Sequence, residues 1–515
     1  MDEEAQENGK HDMEKLKLET LTNHLWESAN ILRGSIDASD YKNYIFGLLF
    51  LKRLSDVFDE EAEKLLKEGK SKKIALEDPD EHEFFVPEKT HWKYLTTLTH
   101  NLGDAINKAN DQLEEHNRSL EGVLSATDFN DKERLPDGTL SKLIIHFSKL
   151  RLRNEDLSEP DILGRAYEYL IAQFADDAGK KGGEFYTPKE VVTLLVDILD
   201  PREGMYICDP ACGSGGMLVQ AVHHLKAIHQ NTKNLVLHGQ EKNLGTWAIC
   251  KMNILLHGIS GARIEKGDTI REPKLLQKGK LIEYDIVIAN PPFSLKNWGV
   301  ESAANDAFGR FRYGLPPKSY GDLAFVQHMI ATLKPSGRAG VVLPHGVLFR
   351  GGAEGKIRQG ILEEDLVEAV IGLPSNLFYG ASIPACLFIL NKKKPVQRKG
   401  KVFFLYGARD FQQLKNKNKL RPEDIEKIVK AYQAYATNEK YSRPVALDEI
   451  RRNDYNLNIP RYIDITEAEE SIDVQETINE LVQLKKERAQ SEDKVEGYLK
   501  ELGYKGGSLR EEKRS

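Results

Sequence analysis

Apolar residues recur at helical spacing through the first third of the chain. Leu16, Leu18, Leu21, Leu25, Ile31 and Leu32 roughly fit one stripe, and Tyr44, Ile45, Leu48, Leu49, Leu51, Leu54, Val57 and Phe58 form a second, after a capping residue at Ser39 or Asp40. Strand-like alternation is scarce there, so residues 1–170 are expected to form a helical domain, with loops near Gly69 to Pro87 and Asn130 to Gly138. From about residue 180 the pattern changes. Short apolar runs bounded by turn residues predict strands at Met205 to Asp209, Leu235 to Gln240, Tyr284 to Ala289, Ala339 to Leu343, Leu366 to Ile371, Ala385 to Leu390 and Val402 to Tyr406. Helical segments at Lys189 to Leu199, Gly216 to Ile228 and Leu244 to His257 lie between them, and this alternation predicts an α/β domain over 171–410 with a doubly wound, mostly parallel sheet.

Beyond about 410 the chain is charged and helical again, and residues 411–503 are expected to be a helical extension. Ile478, Leu481, Leu484, Val495, Leu499 and Leu502 form an apolar stripe interrupted by Arg488 to Asp493, which fits either a solvated amphipathic helix or a helix that packs on a partner. Residues 504–515 have the composition of a disordered tail.

A chain of 515 residues exceeds one ordinary core, and 40% hydrophobic with 30% charged residues is a globular composition. No apolar run approaches the roughly 18 residues of a membrane span, and Met1-Asp2-Glu3-Glu4 is too acidic for a signal peptide, so a cytoplasmic location without membrane contact is expected. Cys208, Cys212, Cys250 and Cys386 lack the spacing of a zinc site, which favours buried thiols over metal or disulfides. A formal net charge of -7 argues against gripping nucleic acid by bulk electrostatics, so any DNA contact is expected to be local or shared with a partner.

Candidate chemistry sits at the ends of the predicted strands. The first runs into Asp209-Pro210-Ala211-Cys212-Gly213-Ser214-Gly215-Gly216 and then directly into a helix. Glycines permit unusual φ and close backbone approach, but the stretch is not a P-loop. An acid ahead of the glycines repels a pyrophosphate and suits a cationic or hydroxyl-bearing ligand, which points away from NAD and ATP and toward an adenosyl sulfonium. Glu241, at the end of the second strand, is placed to accept two hydrogen bonds from ribose hydroxyls. Asp268 lies in a loop ahead of the 284–289 strand and is suited to reading an adenine amino group. That strand ends in Asn290-Pro291-Pro292-Phe293, where two prolines stiffen the exit, an amide oxygen and rigid carbonyls offer acceptors to a planar NH2 group, and Phe293 offers a stacking face.

In this order, with Gly182-Gly183-Glu184-Phe185-Tyr186-Thr187-Pro188 ahead of them, these motifs resemble the gamma class of DNA amino-methyltransferases, and more narrowly the modification (M) subunits of type I restriction-modification systems. The resemblance extends over nearly the whole chain and implies an S-adenosylmethionine-dependent adenine-N6 methyltransferase of double-stranded DNA. It further implies a complex with a specificity (S) subunit that reads the sequence, a restriction (R) subunit, and two copies of this chain. Carried over by position, Glu184, Phe185, Tyr186, Thr187, Pro188 and Lys189 border the cofactor, with Asp209. Gly213, Ser214 and Gly215 turn around its methionine part, Glu241 holds the ribose and Asp268 the adenine. The resemblance makes Asn290, Pro291, Pro292 and Phe293 catalytic; Phe293 stands where the family often has Tyr, which keeps the stacking and removes a hydroxyl. No metal is implied.

Lys296, Trp298, Arg310, Arg312 and Lys318 follow the Asn-Pro-Pro-Phe motif, interleaved with Phe311 and Tyr313 and opposed only by Glu301 and Asp306, a pattern suited to a DNA strand and an extruded base. The same planar-NH2 site would also accept a glutamine amide in a protein or a cytosine amino group, and a non-catalytic, cofactor-sensing scaffold is the alternative outside enzymology.

Overall fold

The structure is a computed structural model that describes residues 15–36, 40–178, 187–378, 384–415, 417–466 and 474–504. Glu184, Phe185 and Tyr186 therefore lie outside the described residues, as does the expected tail.

The N-terminal stripes become two helices, α1 (Leu18–Leu32) and α2 (Tyr41–Lys67), whose apolar faces are buried. Asp40 is the N-cap residue of α2, although its side chain makes no capping hydrogen bond. Helices α3 (Leu102–His116), α4 (Asp137–Phe147) and α5 (Ile162–Ala178) complete this part. The expected loop at 69–87 contains a short helix, Lys72–Glu77, capped by Ser71.

Helices and sheet share one continuous apolar core. The Tyr167 ring on α5 lies 3.8 Å from that of Phe46 on α2, and its hydroxyl donates to the Ile249 carbonyl at 3.1 Å.

Among the described residues the central sheet has nine strands: β1 (Tyr206–Asp209), β2 (Val236–Glu241), β3 (Arg263–Lys266), β4 (Tyr284–Ala289), β5 (Leu333–Pro344), β6 (Val367–Gly372), β7 (Ala385–Asn391), β8 (Lys401–Tyr406) and β9 (Ser442–Ala446). Their spatial order is β9-β8-β6-β7-β5-β4-β1-β2-β3. Strands β3, β2, β1, β4 and β5 run parallel, while β7 is antiparallel to both β5 and β6, and β9 is antiparallel to β8. The chain steps outward from β1 to β3 and then returns to β4 on the other side of β1. That reversal opens a crevice at the carboxyl edge of β1 and β4, where open α/β sheets bind ligands. Helices α6 (Lys189–Leu199), α7 (Gly216–Ala227) and α8 (Leu244–Leu256) flank these strands, and α9 (Asp322–Ala331) precedes β5.

The seven strands read from apolar runs are all present. Two others have no such run. β3 contributes Arg263, Glu265 and Lys266 to a sheet edge, and β9 carries a proline at such an edge, as its missing N–H requires. β9 also shows that the sheet continues past residue 410, where the apolar pattern had suggested a boundary. The first compact unit extends to Asp464 and the second begins at Ile465. Within the second unit α12 (Val474–Glu501) is continuous through Arg488 to Asp493, and Ile478, Leu481, Leu484, Val495 and Leu502 on it or just beyond it are exposed. Helix α10 (Gly352–Glu363) and helix α11 (Pro422–Ala434) lie in the first unit. Among the described residues no helix is long and apolar enough to cross a membrane.

Candidate active site

Parallel strands point their carboxyl ends the same way, so residues far apart in sequence meet at one edge. Asp209 ends β1, Glu241 ends β2, Asp268 follows β3 by two residues and Asn290 follows β4 directly. These four line a single cavity of about 1010 Å³ together with Thr187, Lys189, Gly213, Ser214 and Pro292. Helical-part residues, Asp40, Lys42, Asn43 and Glu168 among them, close its other side.

The glycine turn is set by its own φ values. Gly213 (φ +53°) and Gly215 (φ +82°) adopt the left-handed region that side chains resist. A Cβ on Gly215 would also come within 2.9 Å of Cys250 Sγ. Glu241 fixes the turn from the next strand: its Oε2 accepts from the Gly213 amide at 3.0 Å and its Oε1 accepts from the Asn243 amide at 2.8 Å. Asp209 is buried and accepts from the Ala211 amide at 3.0 Å. Burial, with the nearby Glu241 charge adding to it, pushes its carboxyl up to about 8. Asp268 Oδ1 accepts from the amides of Ile270 and Arg271 at 3.0 and 3.1 Å, and Lys242 pairs with Oδ2 at 3.0 Å.

Asn290 is held at one end of its amide only. Its Nδ2 donates to Thr187 Oγ1 at 2.8 Å, which fixes the amide orientation, while its Oδ1 is buried and accepts no hydrogen bond among the described residues. An unpaired buried acceptor costs about 1–3 kcal/mol, a cost that functional sites carry when a ligand donor completes the set. Pro291 is buried, Pro292 exposed and Phe293 half-buried. The residue after them, Ser294 (φ +51°), donates its amide to Asp322 Oδ1 at 2.8 Å. Asp322 is itself fully buried and pairs with Arg350 at 3.1 Å.

Two site neighbours gave no signal in the sequence reading. One is Asp322, which resembles an ordinary acidic residue in a first helical turn. The other is Phe378, whose ring meets that of Phe293 edge-on at 5.7 Å and 70°. Only the sheet topology brings Phe378, which follows β6, against the loop after β4.

The expected DNA-facing segment is different from its sequence pattern. Trp298 is 1% exposed and donates its indole N–H to the Pro317 carbonyl at 2.9 Å. Arg310 is 3% exposed and spends its donors on Asp306 and on the carbonyls of Thr269 and Ile270. Neither is available to a DNA strand, because tertiary packing claimed the aromatic and the guanidinium for the protein's interior. Arg312 is exposed but pairs with Glu364, and Lys318 lies 3.4 Å from Glu301. Lys296 is exposed and makes no ion pair among the described residues.

All four cysteines are free and buried. Among the described residues one trio, His24, Glu27 and His146, brings three ligand-type atoms within 4.8 Å. The two imidazoles stack at 3.7 Å with planes 7° apart, so no ion can lie in both ring planes at once.

Comparison with known proteins follows the same lines. Residues 158–471 match the family model described as N-6 DNA Methylase, and residues 21–147 match the HsdM N-terminal domain. The chain is 34% identical over 505 residues to the type I restriction enzyme MjaVII methylase subunit of Methanocaldococcus jannaschii, covering 93% of this chain and 84% of that one. It is 35% identical over 421 residues to the HindI methylase subunit of Haemophilus influenzae, covering 78% and 92%. The crystal structure of the type I restriction-modification system methyltransferase subunit from Streptococcus thermophilus superposes with a TM-score of 0.76 at 32% identity, covering 87% of this chain and 100% of that one. The chain therefore belongs to the methylase subunits of type I restriction-modification systems, within the N-6 DNA methylase family of adenine-specific DNA methyltransferases.

Proposed function

We propose that this cavity holds S-adenosylmethionine against the β1–β3 side and a flipped adenine against the β4 side. The carrying observation is that Asn290 Oδ1, a buried acceptor without a donor, lines the same cavity as Gly213, Glu241 and Asp268. The donor set fits the cofactor. Glu241 and Asp268 offer carboxylates to hydroxyl and amino groups, Asp209 offers an acid to a cation, and the volume lies at the upper end of the roughly 300–1,000 Å³ of ligand pockets. When bound there, the cofactor supplies an electrophilic methyl group on a sulfonium.

The protein's part is positioning. An adenine N6 lone pair is delocalised into the ring and is a weak nucleophile. Asn290 Oδ1 accepts one amino hydrogen and the Pro291 carbonyl the other, which favours a pyramidal nitrogen with its lone pair turned into the cavity. Thr187 keeps the oxygen of the Asn290 amide, rather than its NH2 group, facing the base. Phe293 stacks on the extruded ring with Phe378 behind it, repaying part of the few kcal/mol that flipping costs. Positioning and preorganised acceptors each contribute several kcal/mol to such a rate.

Sequence reading is delegated. With a net charge of -7 and the basic residues of 296–318 mostly paired or buried, DNA affinity comes mainly from a specificity subunit, and a restriction subunit joins the full complex with two copies of this chain. The exposed apolar stripe of α12, Ile478, Leu481 and Leu484, serves as a subunit contact. DNA incubated with labelled S-adenosylmethionine and this protein, with and without its co-purified native partner, tests the reading by mass spectrometry of the nucleosides. N6-methyladenine formed only with the partner is expected. Labelled glutamine in a protein, with unlabelled DNA, would replace the reading with that of a protein methyltransferase.

A further inference from the structure

Resting on that reading of the cavity, we propose that residues 294–321 form a clasp that couples the cofactor half of the cavity to the target-base half, with Arg310 as its positioning residue. A segment that only tracked a DNA strand would expose its cations. This one buries its tryptophan and one arginine to grip the loop that carries Asp268.

The grip has three parts. Arg310 Nη1 donates to the Thr269 carbonyl at 2.9 Å and Nη2 to the Ile270 carbonyl at 2.8 Å, while Nε donates to Asp306 at 2.8 Å. Nη1 also lies 3.2 Å from Nδ1 of the buried His328 on α9. A guanidinium is costly to bury, and here the cost is met because its donors are distributed over one carboxylate and two carbonyls of the Asp268 loop. From the other side, Arg271 Nη2 donates to the Asn297 carbonyl at 2.7 Å, while the Arg271 amide is held by Asp268 Oδ1. Finally, Ile270, Trp298, Ala303, Ala324 and Phe325 form a small separate core, with Ala211 of the glycine-turn motif packed against it.

The two ends of the clasp close on each other beside the target loop: Gly321 donates its amide to the Leu295 carbonyl at 3.0 Å, and Asn297 donates its amide to the Lys318 carbonyl at 2.9 Å. A Cβ at Gly321 would come within 2.7 Å of Trp298 Cβ, so the two arms of the clasp touch through a glycine. Ser294, next to Phe293, is pinned on Asp322 in the following helix. Packed elements move as units rather than deforming continuously, so a shift of the Asp268 loop on cofactor binding carries the Asn290–Phe293 exit with it. Such coupling is reciprocal: the target duplex tightens the cofactor by the same factor as the cofactor tightens the duplex.

The test uses the protein complexed with its native partner and measures the dissociation constant of S-adenosylhomocysteine calorimetrically. The measurement is made without DNA and with a duplex carrying the site found methylated in the host's DNA. The ratio of the two constants is expected to fall within the roughly 5–150-fold range of allosteric coupling for the unsubstituted protein. Arg310→Lys keeps the charge beside Asp306 but cannot span both carbonyls, and Arg271→Ala removes the exposed link to Asn297 together with a 3.4 Å ion pair to Asp268 that acts on cofactor affinity with and without DNA alike; each is expected to bring the ratio toward one. Should Arg310→Lys fail to fold, Arg271→Ala decides alone. A folded variant that retains the full ratio overturns the clasp, as does a ratio of one in the unsubstituted protein, in which case the reading of the cavity stands. Failure of the unsubstituted protein to bind S-adenosylhomocysteine overturns both.

Discussion

Asn290 and Thr187 share one hydrogen bond, Nδ2 to Oγ1 at 2.8 Å, and that bond leaves the opposite end of the Asn290 amide, Oδ1, buried without a donor. The threonine thus turns the oxygen end of the amide away from itself, and on the proposed reading that end meets the substrate. Asn290→Ala should lower methylation by at least about 10²–10³-fold, the cost of removing one preorganised polar group in a catalytic site, with cofactor affinity changed only a few-fold. Thr187→Val, which keeps the shape and removes the hydroxyl, should cost less, through a lower kcat rather than a higher KM. A Thr187→Val enzyme with unchanged kcat would mean that the amide orients without help.

Phe293 and Phe378 meet edge-on at 5.7 Å, and the proposed reading has the Phe293 ring stack on the extruded base. Loss of base stacking costs about 1–3 kcal/mol, so Phe293→Ala should raise the KM for DNA roughly 5- to 150-fold, and Phe293→Tyr should be nearly silent. Phe378→Ala should weaken DNA less, by loosening its neighbour. Fluorescence of a duplex with 2-aminopurine at the target adenine reports the flip directly, and Phe293→Ala with an unaltered signal would remove the ring from the target pocket.

On the proposed reading of the cavity, Asp209 should carry the pH dependence of cofactor binding. Burial raises its carboxyl to about 8 from an ordinary value of 3.8, so at neutral pH most molecules hold the proton. A cation beside it favours the carboxylate, so binding releases that proton below pH 8. Affinity for S-adenosylmethionine should therefore climb from pH 6 to pH 8, by at most about tenfold per pH unit, and then level off. Titration calorimetry in two buffers of different ionisation enthalpy counts the protons. Asp209→Asn should flatten this component; an equal slope in that variant would assign the proton elsewhere.

His328 governs part of the acid sensitivity. Burial, reinforced by the Arg310 charge, lowers it to about 3 from 6.5. The folded protein holds the ring neutral while the unfolded chain takes up a proton as pH falls through 6.5, so the stability lost to this group accumulates from about pH 6.5 down to 3. His24 and His223, each lowered to about 4 chiefly by burial, act in the same direction. The difference in Tm between the unsubstituted protein and His328→Gln should shrink as pH falls from 7 to 4. A difference that stays constant over that range would show that His328 does not titrate on unfolding.

The sequence by itself determined the elements and the chemistry at their ends. Apolar runs of strand length identified seven strands because fully buried strands need apolar residues on both faces. The Asp-Pro-Ala-Cys-Gly-Ser-Gly-Gly turn and the Asn-Pro-Pro-Phe exit were legible because each needs particular residue types for its backbone, glycine for φ above zero and proline for a fixed φ. Periodicity could not find β3 and β9, whose Arg263, Lys266 and Pro444 belong on sheet edges that face water. Nor could it reveal what faces what. Arg310 and Trp298 read as surface residues beside a DNA path, and packing placed both inside, because the Asp268 loop presents carbonyls that a guanidinium satisfies and the small Ile270–Phe325 core accepts an indole. The pairing of Thr187 with Asn290, and of Phe293 with Phe378, likewise comes from the order of strands in the sheet. Local sequence determines what each strand end carries, whereas only the parallel topology decides which ends share a cavity, since that depends on contacts between residues distant along the chain.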